Sequence, residues 1–299
     1  MTADLTGTLP PAKLSLVEEI VAALSRVEGV VAVALGGSYA RGTAKPTSDV
    51  DLGVYYLEDH PFRIEDVRSV ASRFDPRKEL AVTNFYEWGP WVNGGAWLET
   101  RVGRIDFIYR NVDHVRRVIE GASRGEIEWH YAQQPPYGFR SVIYFAETSI
   151  CVPFFDPAAV LARLKESVAV YPEQLRMTII RSSLWSAEFT LWGGLKYAED
   201  GDVYNAVGCI VRAICELTQV LFALNRVYFI SDKGALETIE RFALKPDLYT
   251  ARVTSILARP GGDSSSLSST MHQLAELIAT VADLAKDVYA PKYRLPSRT

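Results

Sequence analysis

Two periods of apolar residues run along this chain, and the place where one gives way to the other divides it. In the first part, short apolar runs alternate with helical stretches. Leu14, Val17, Val21 and Leu24 share one helical face behind Ser15-Leu16-Val17-Glu18, a capping-box pattern that predicts a helix start there, with residues up to Pro11 as a loose tail. Residues 29–35 are apolar and β-branched and predict a buried strand, broken by Gly36-Gly37-Ser38. Residues 50–57 alternate around Leu52, Val54 and Tyr56 and predict a second strand. The pattern then predicts a helix over 64–74, strands over 80–86 and 103–109, and a helix over 111–122. Residues 141–152 read as a last strand or an extended connector.

After Pro153-Phe154-Phe155-Asp156-Pro157 helical periodicity takes over. Helices are predicted over 158–170, from Pro172 to about Glu199, from the turn at 199–202 to near Tyr228, and over 233–242 and 246–258. Residues 260–266 read as a flexible loop. A final helix carries Leu267, Met271, Leu274, Ile278, Val281 and Val288 as an apolar stripe. There is no internal repeat. The predicted fold class is α+β: a mixed-sheet domain over residues 1–156, then an all-helical bundle domain over 157–299.

The segment Gly36-Gly37-Ser38-Tyr39-Ala40-Arg41 changes the picture from fold to chemistry. Glycines let a backbone approach a bulky anion, and backbone N–H groups of a turn entering a helix, with the Ser38 hydroxyl, favour phosphate oxygens. Ten residues intervene before Asp49-Val50-Asp51. On a strand, residues i and i+2 point to the same side, so two carboxylates converge. Two such charges are costly unless a cation lies between them, and a hard, oxygen-seeking ion such as Mg²⁺ suits them. Asp106 sits alone among apolar residues in Arg104-Ile105-Asp106-Phe107-Ile108-Tyr109, where folding explains it poorly and a third ligand position explains it well. Three carboxylates beside a phosphate-gripping turn make a phosphoryl or nucleotidyl transfer site, in which two metal ions about 4 Å apart could bridge the α-phosphate, the attacking oxygen and the leaving group.

Gly37-Ser38, the ten-residue spacing, Asp49-Val50-Asp51 and the separate Asp106 resemble the signature of the DNA polymerase β-like nucleotidyltransferase superfamily over roughly residues 29–110. The resemblance implies that Asp49, Asp51 and Asp106 hold two Mg²⁺ ions and act in catalysis, and that Gly37 and Ser38 bind the phosphates of a nucleoside triphosphate such as ATP. It implies that Asp106 helps to deprotonate an acceptor hydroxyl. The helical second part is similar to the arrangement in antibiotic and other minimal nucleotidyltransferases. Arg41 is a candidate for the triphosphate, against a surface salt bridge. Lys233 is a candidate for the β- or γ-phosphate, against a surface lysine at a helix start.

Other candidates have plain alternatives. Residues 87–97, aromatic and glycine-rich, form a substrate wall or lid, although a single Trp more often serves packing. His114 and His130 lack metal-ligand spacing and read as satisfied or exposed. Glu99, Glu128 and Glu147 are possible acceptor-site bases or ammonium binders. The three cysteines, Cys151, Cys209 and Cys215, lack CxxC spacing and read as small buried hydrophobes in a reducing compartment.

Composition narrows the partners. The chain is 48% hydrophobic and 23% charged with a formal net charge of −4, which argues against a bulk nucleic-acid role. No signal pattern opens the chain, and no apolar run approaches the roughly 20 residues that span a bilayer, so a soluble cytoplasmic protein with no membrane partner is expected. The expected activity is NMP transfer from an NTP to a hydroxyl of a small molecule, aminoglycoside-type antibiotics among them. The alternatives are a nucleotidyltransferase that modifies tRNA or a protein, as toxins do, and a non-catalytic nucleotide-binding module. A homodimer through the helical part is compatible with either.

Overall fold

Strand β1 (Ala32–Leu35) is buried on both faces and sits inside a six-stranded sheet. The computed structural model describes residues 9–77 and 79–293. The other strands are β2 (Val50–Tyr56), β3 (Ala81–Val82), β4 (Gly95–Thr100), β5 (Gly103–Asn111) and β8 (Val152–Phe155), while β6 (Trp129–His130) and β7 (Phe139–Arg140) form a separate small ribbon. Sheet order is β3-β4-β5-β2-β1-β8. β2 and β5 pair in parallel and the remaining pairs are antiparallel, so the sheet is mixed. The chain divides into two compact units: residues 1–121 with 128–170, and residues 122–127 with 171–299. The fold is α+β.

In the first unit, alternation along β2 and β5 assigns the two faces of the sheet. Val50, Leu52, Val54, Ile105, Phe107 and Tyr109 point into the core, together with Ala96 and Leu98 of β4. Helices α1 (Pro11–Leu24) and α3 (Ile64–Phe74) cover that face with Leu16, Val17, Ile20, Val67 and Ala71. Each fully buried Leu, Ile or Phe there contributes roughly 1.5–3 kcal/mol. The opposite face carries Asp51, Asp106 and Trp97 at one end. At the other end Arg110 makes a two-pronged ion pair with Glu147 of α5 (Ile143–Ile150), both bonds at 2.8 Å. The remaining helices of this unit are α2 (Gly37–Ala40), α4 (Val112–Ser123), which continues into residues of the second unit, and α6 (Val160–Ser167).

The second unit is a helical bundle built on α7 (Glu173–Glu199), α8 (Val203–Leu224) and α11 (Ser264–Leu284), with the shorter α9 (Ala235–Ile239) and α10 (Tyr249–Ala258). Ser186 meets Glu216, and a Cβ on Gly194 would meet Cys209, which is the register of an antiparallel hairpin about the turn at 200–202. Asp202 caps α8 by accepting from Asn205 N. By length and composition α8 is apolar enough to cross a membrane, with a mean hydropathy of 1.8 over its most apolar window, so the expectation of no such run is corrected. Some 72% of that window is buried inside the protein, as in the central helix of a bundle.

Several expected boundaries move for local reasons. The first helix begins at Pro11, not Ser15, because Pro11 itself fits the first helical turn and no side chain caps it. Of residues 1–11, only 9–11 are described, and Leu9 is buried. Residues 143–150 are helix α5 and not a strand; only Val152–Phe155 joins the sheet. Strand β4 arises from the second half of the aromatic, glycine-rich segment, and the expected strand over 80–86 shrinks to two residues. Part of the expected loop at 260–266 is the start of α11, closed by a reciprocal capping box between Asp263 and Ser266.

Candidate active site on the sheet

Asp51 and Asp106 are direct register partners on the parallel strands β2 and β5. Parallel neighbours lie about 4.8 Å apart, so their side chains emerge together on the face not covered by α1 and α3. Asp49 lies just before β2, near enough for its charge to act on Asp106. The polypeptide reaches this point from β1, whose end lies against the start of β2. Gly36 N donates to Asp51 O at 2.8 Å, and Gly37 enters α2 with φ +58°. A Cβ on Gly37 would overlap Asp51 Oδ2, so only glycine lets the turn press against this carboxylate.

A lysine braces the turn. Lys13 Nζ donates to Tyr39 Oη at 2.9 Å and to Ser48 O at 2.8 Å, tying α1 to α2 and to the segment that leads into Asp49. Ser48 Oγ in turn accepts from Lys45 N. Nothing in the sequence pattern singles out Lys13, since its partners are brought in only by the fold. Arg41 follows the turn half-buried, burial lowers its pKa, and among the described residues it makes no ion pair. The expected alternative of a surface salt bridge is therefore not what the structure shows. Lys233 belongs to the second unit, exposed in the turn before α9, where its N–H donates to Ser231 Oγ.

The electrostatics of the three aspartates are those of a site short of positive charge. Asp106 Oδ1 is buried with no hydrogen-bond partner. Burial, then the Asp51 and Asp49 charges, push the Asp106 carboxyl up to about 7. Arg104, two residues before Asp106 on β5, opposes this shift. Its guanidinium lies 3.7 Å from Asp49 and 3.1 Å from Glu99. Among the described residues no group of three His, Cys, Asp or Glu side chains is already gathered as a metal-ligand set. The fold thus brings Asp51 and Asp106 to one face, but Asp49 shares its charge with Arg104 and the expected convergence is incomplete. The donor chemistry still fits a divalent cation: hard carboxylate oxygens, one of them buried and unpartnered, with their mutual repulsion only partly offset by Arg104.

Of the acidic candidates, only Glu99 adjoins the aspartates. Glu147 is committed to Arg110, and Glu128 lies 3.1 Å from His130 Nε2. His114 differs from expectation: its Nε2 is buried without a partner, it contacts Trp91 and Tyr144, and burial lowers its pKa. Within the aromatic segment, Trp91 is a core residue, with its ring against His114, His130, Phe139 and Tyr144. Trp88 and Trp97 stack on each other at 3.8 Å, and Trp97 is the register partner of Asp106 across β4 and β5. The three cysteines form no disulfide.

The sequence profile of the nucleotidyltransferase domain family matches residues 15–93, which take in the Gly36–Ser38 turn and both Asp49 and Asp51. Over residues 15–93 the chain is thus similar to a nucleotidyltransferase domain. Asp106 lies beyond the matched segment, and its place beside Asp51 follows from their register. A second profile, for a domain of unknown function (DUF4037), matches residues 144–233. No curated protein gives a significant match. Among solved structures, the chain is similar to a nucleotidyltransferase-like protein from Exiguobacterium sibiricum, at 13% identity and a TM-score of 0.42, over 93% of this chain and 78% of that one.

Proposed function

We propose that the chain is a Mg²⁺-dependent nucleotidyltransferase that moves NMP from an NTP to a hydroxyl of a small molecule. The observation that carries this reading is the register of Asp51 with Asp106 beside a glycine turn that only glycine can form. Asp49, Asp51 and Asp106 would hold the metal. Bound Mg²⁺ supplies neutralisation of the triphosphate charge and a more acidic acceptor hydroxyl.

The chain's own groups do the rest by position. Gly37 and Ser38 receive phosphate oxygens, and Arg41 offers its half-buried guanidinium to the triphosphate. The acceptor oxygen attacks the α-phosphorus, the bond from phosphorus to the pyrophosphate oxygen breaks, and pyrophosphate leaves. Asp106 takes the hydroxyl proton on its carboxylate. Catalysis is then chiefly positioning and charge neutralisation.

The test is transfer of label from α-labelled NTPs, with Mg²⁺, to a panel of hydroxylated antibiotics, tRNA and lysate protein, for the wild type and Asp51→Asn. Metal-dependent labelling of small molecules, lost in the variant, is expected. Labelling that survives Asp51→Asn overturns the site, and labelling confined to RNA or protein overturns the acceptor class.

A further inference from the structure

Helix α7 is apolar on two sides. One side carries Leu184, Ala187 and Leu191, fully buried in the bundle. The other carries Trp185, Phe189 and Trp192, which are 47%, 43% and 59% exposed. A helix that is apolar all round is ordinarily covered all round. The three rings form one strip. Trp185 and Phe189 stack with centroids 5.2 Å apart and planes 9° apart, and Phe189 and Trp192 follow at 6.2 Å and 19°. Tyr293 lies along the flank, 6.2 Å from Phe189 and 6.3 Å from Trp192. The segment that brings it there is pinned, since the buried Glu188 carboxylate accepts from Tyr289 Oη and from Lys292 N. Trp and Phe side chains at these exposures leave roughly 350 Å² of ring surface open. A patch of that kind marks an interaction surface.

Gly193 stands beside Trp192. A Cβ there would meet nothing within 4 Å, so no neighbour in the fold requires the glycine. Inside a helix it is destabilising relative to alanine, and its use is to let a second backbone come close. Charged residues stand at both ends of the strip. Arg181 precedes it, with Nε donating to Val288 O, and Lys196 and Asp200 follow it. All three are exposed, and among the described residues none of them has an ion pair. With 3.6 residues per turn, these three and the three rings share about 100° of the helix circumference.

A second copy can meet this face through a two-fold axis in two ways. An axis along the helix sets each residue on itself, so that Arg181, Lys196 and Asp200 each face their own charge. An axis across the helix, between Phe189 and Trp192, reverses one copy. Every residue then meets the one equally far beyond the centre in the other copy. Phe189 meets Trp192, Trp185 meets Lys196, and Arg181 meets Asp200, each pair twice. Ring lies on ring, ammonium on indole, and guanidinium on carboxylate. We propose that this face of α7 is a self-complementary dimer interface, occupied by the same face of a second copy running antiparallel. The match of the face to its own reverse is what selects a second copy, since an unrelated partner calls for no such symmetry. The rings supply the apolar centre and the charged ends the rim of an interface that needs roughly 800 Å² from each copy. Nothing in this inference depends on the nucleotidyltransferase reading.

The experiment is sedimentation equilibrium of the full chain from about 0.1 to 100 µM, where a dimer with a Kd of about 10 µM or tighter is expected. Phe189→Ala and Trp192→Ala are each expected to raise that Kd by about thirtyfold or more. Asp200→Arg brings two cations together at each end and is expected to raise it by about tenfold, although a basic residue suits a helix C-terminus. Adding Arg181→Asp to Asp200→Arg is expected to bring the Kd back to within about threefold of the wild type, which a merely structural role does not predict. Gly193→Ala favours the helix itself, so it is expected to weaken the dimer while raising the melting point of the dilute monomer. A wild type that is monomeric at every concentration overturns the proposal, whether residues 294–299 of the same chain or another protein then cover the strip. A dimer indifferent to both ring variants has its interface elsewhere, and a charge swap that restores nothing overturns the antiparallel match.

Discussion

The Arg104 guanidinium lies 3.7 Å from the carboxylate of Asp49, and Glu99 fixes it there from the other side. Arg104 is thus the cation nearest to a set of aspartates that repel one another. Replacing it with Gln frees Asp49 for a divalent ion. Mn²⁺ binding, followed by the loss of the free-ion EPR signal, is expected to tighten by about two- to fivefold in Arg104→Gln, the modest gain expected of an exposed pair. Weaker binding would show that Arg104 organises the aspartates and does not compete for them.

Asp106→Asn separates stability from activity. Burial and two neighbouring carboxylates destabilise the Asp106 anion in the fold. At pH 8 with chelator present, the variant is expected to melt higher than the wild type while transfer falls by about a hundredfold or more. A carboxyl raised to about 7 loses stability as pH climbs from its unfolded value near 3.8 through 7, so the difference between the two proteins should shrink toward pH 4. A melting point lower than wild type at pH 8 contradicts this account.

Asp75 works in the opposite sense. Its carboxylate accepts two bonds from Arg77 Nε, at 3.1 Å, and one from Glu99 N at 2.9 Å. Hydrogen bonds from Arg77 chiefly, against burial, hold it down to about 2. A depressed pKa contributes stability that is complete above the unfolded pKa of 3.8 and is lost as pH falls toward 2. The contribution is about 1–2 kcal/mol after allowance for the half-exposed Arg77. Acid unfolding of Asp75→Asn is therefore expected to show a flatter pH dependence between 4 and 2, measured by denaturant midpoints.

Arg110, buried, and Glu147, half-buried, make the ion pair that pins α5 to the sheet. Burial opposes the Arg110 charge, and the Glu147 carboxylate outweighs it, leaving the pKa raised. Glu147→Gln leaves that guanidinium unpaired and should lower stability by about 3 kcal/mol, whereas Arg110→Met with Glu147→Leu should come close to the wild type. Urea midpoints decide between them.

Gly37→Ala tests the turn directly. Both the positive φ and the Asp51 oxygen exclude a methyl group, so the variant is expected to lose NTP-analogue affinity by about tenfold or more while far-UV circular dichroism stays unchanged.

The shared face of Asp51 and Asp106 was legible in the sequence because strand periodicity is local, and one acid in an apolar run reveals a face without long-range information, whereas Asp49 falls just before β2. Arg104 obeys the same two-residue spacing to Asp106 and could have been read with it. Trp97 was hidden because glycines masked β4, and its value comes from a strand partner distant in sequence. Helix α5 was hidden for a different reason: its β-branched and aromatic residues suit either state, and packing decided. The helical unit was readable as helices from apolar stripes alone, yet those stripes say nothing about which surface meets a substrate.

The Lys13 contacts have a practical corollary. One ammonium, thirty-five residues away from Ser48, holds both ends of the loop that spans the glycine turn and Asp49. The helix that carries it braces the candidate site. Trimming the chain back to the apparent start of its apolar pattern would remove that brace, and a shortened protein of sound fold would be left with a loop free to drift between its phosphate turn and its first aspartate.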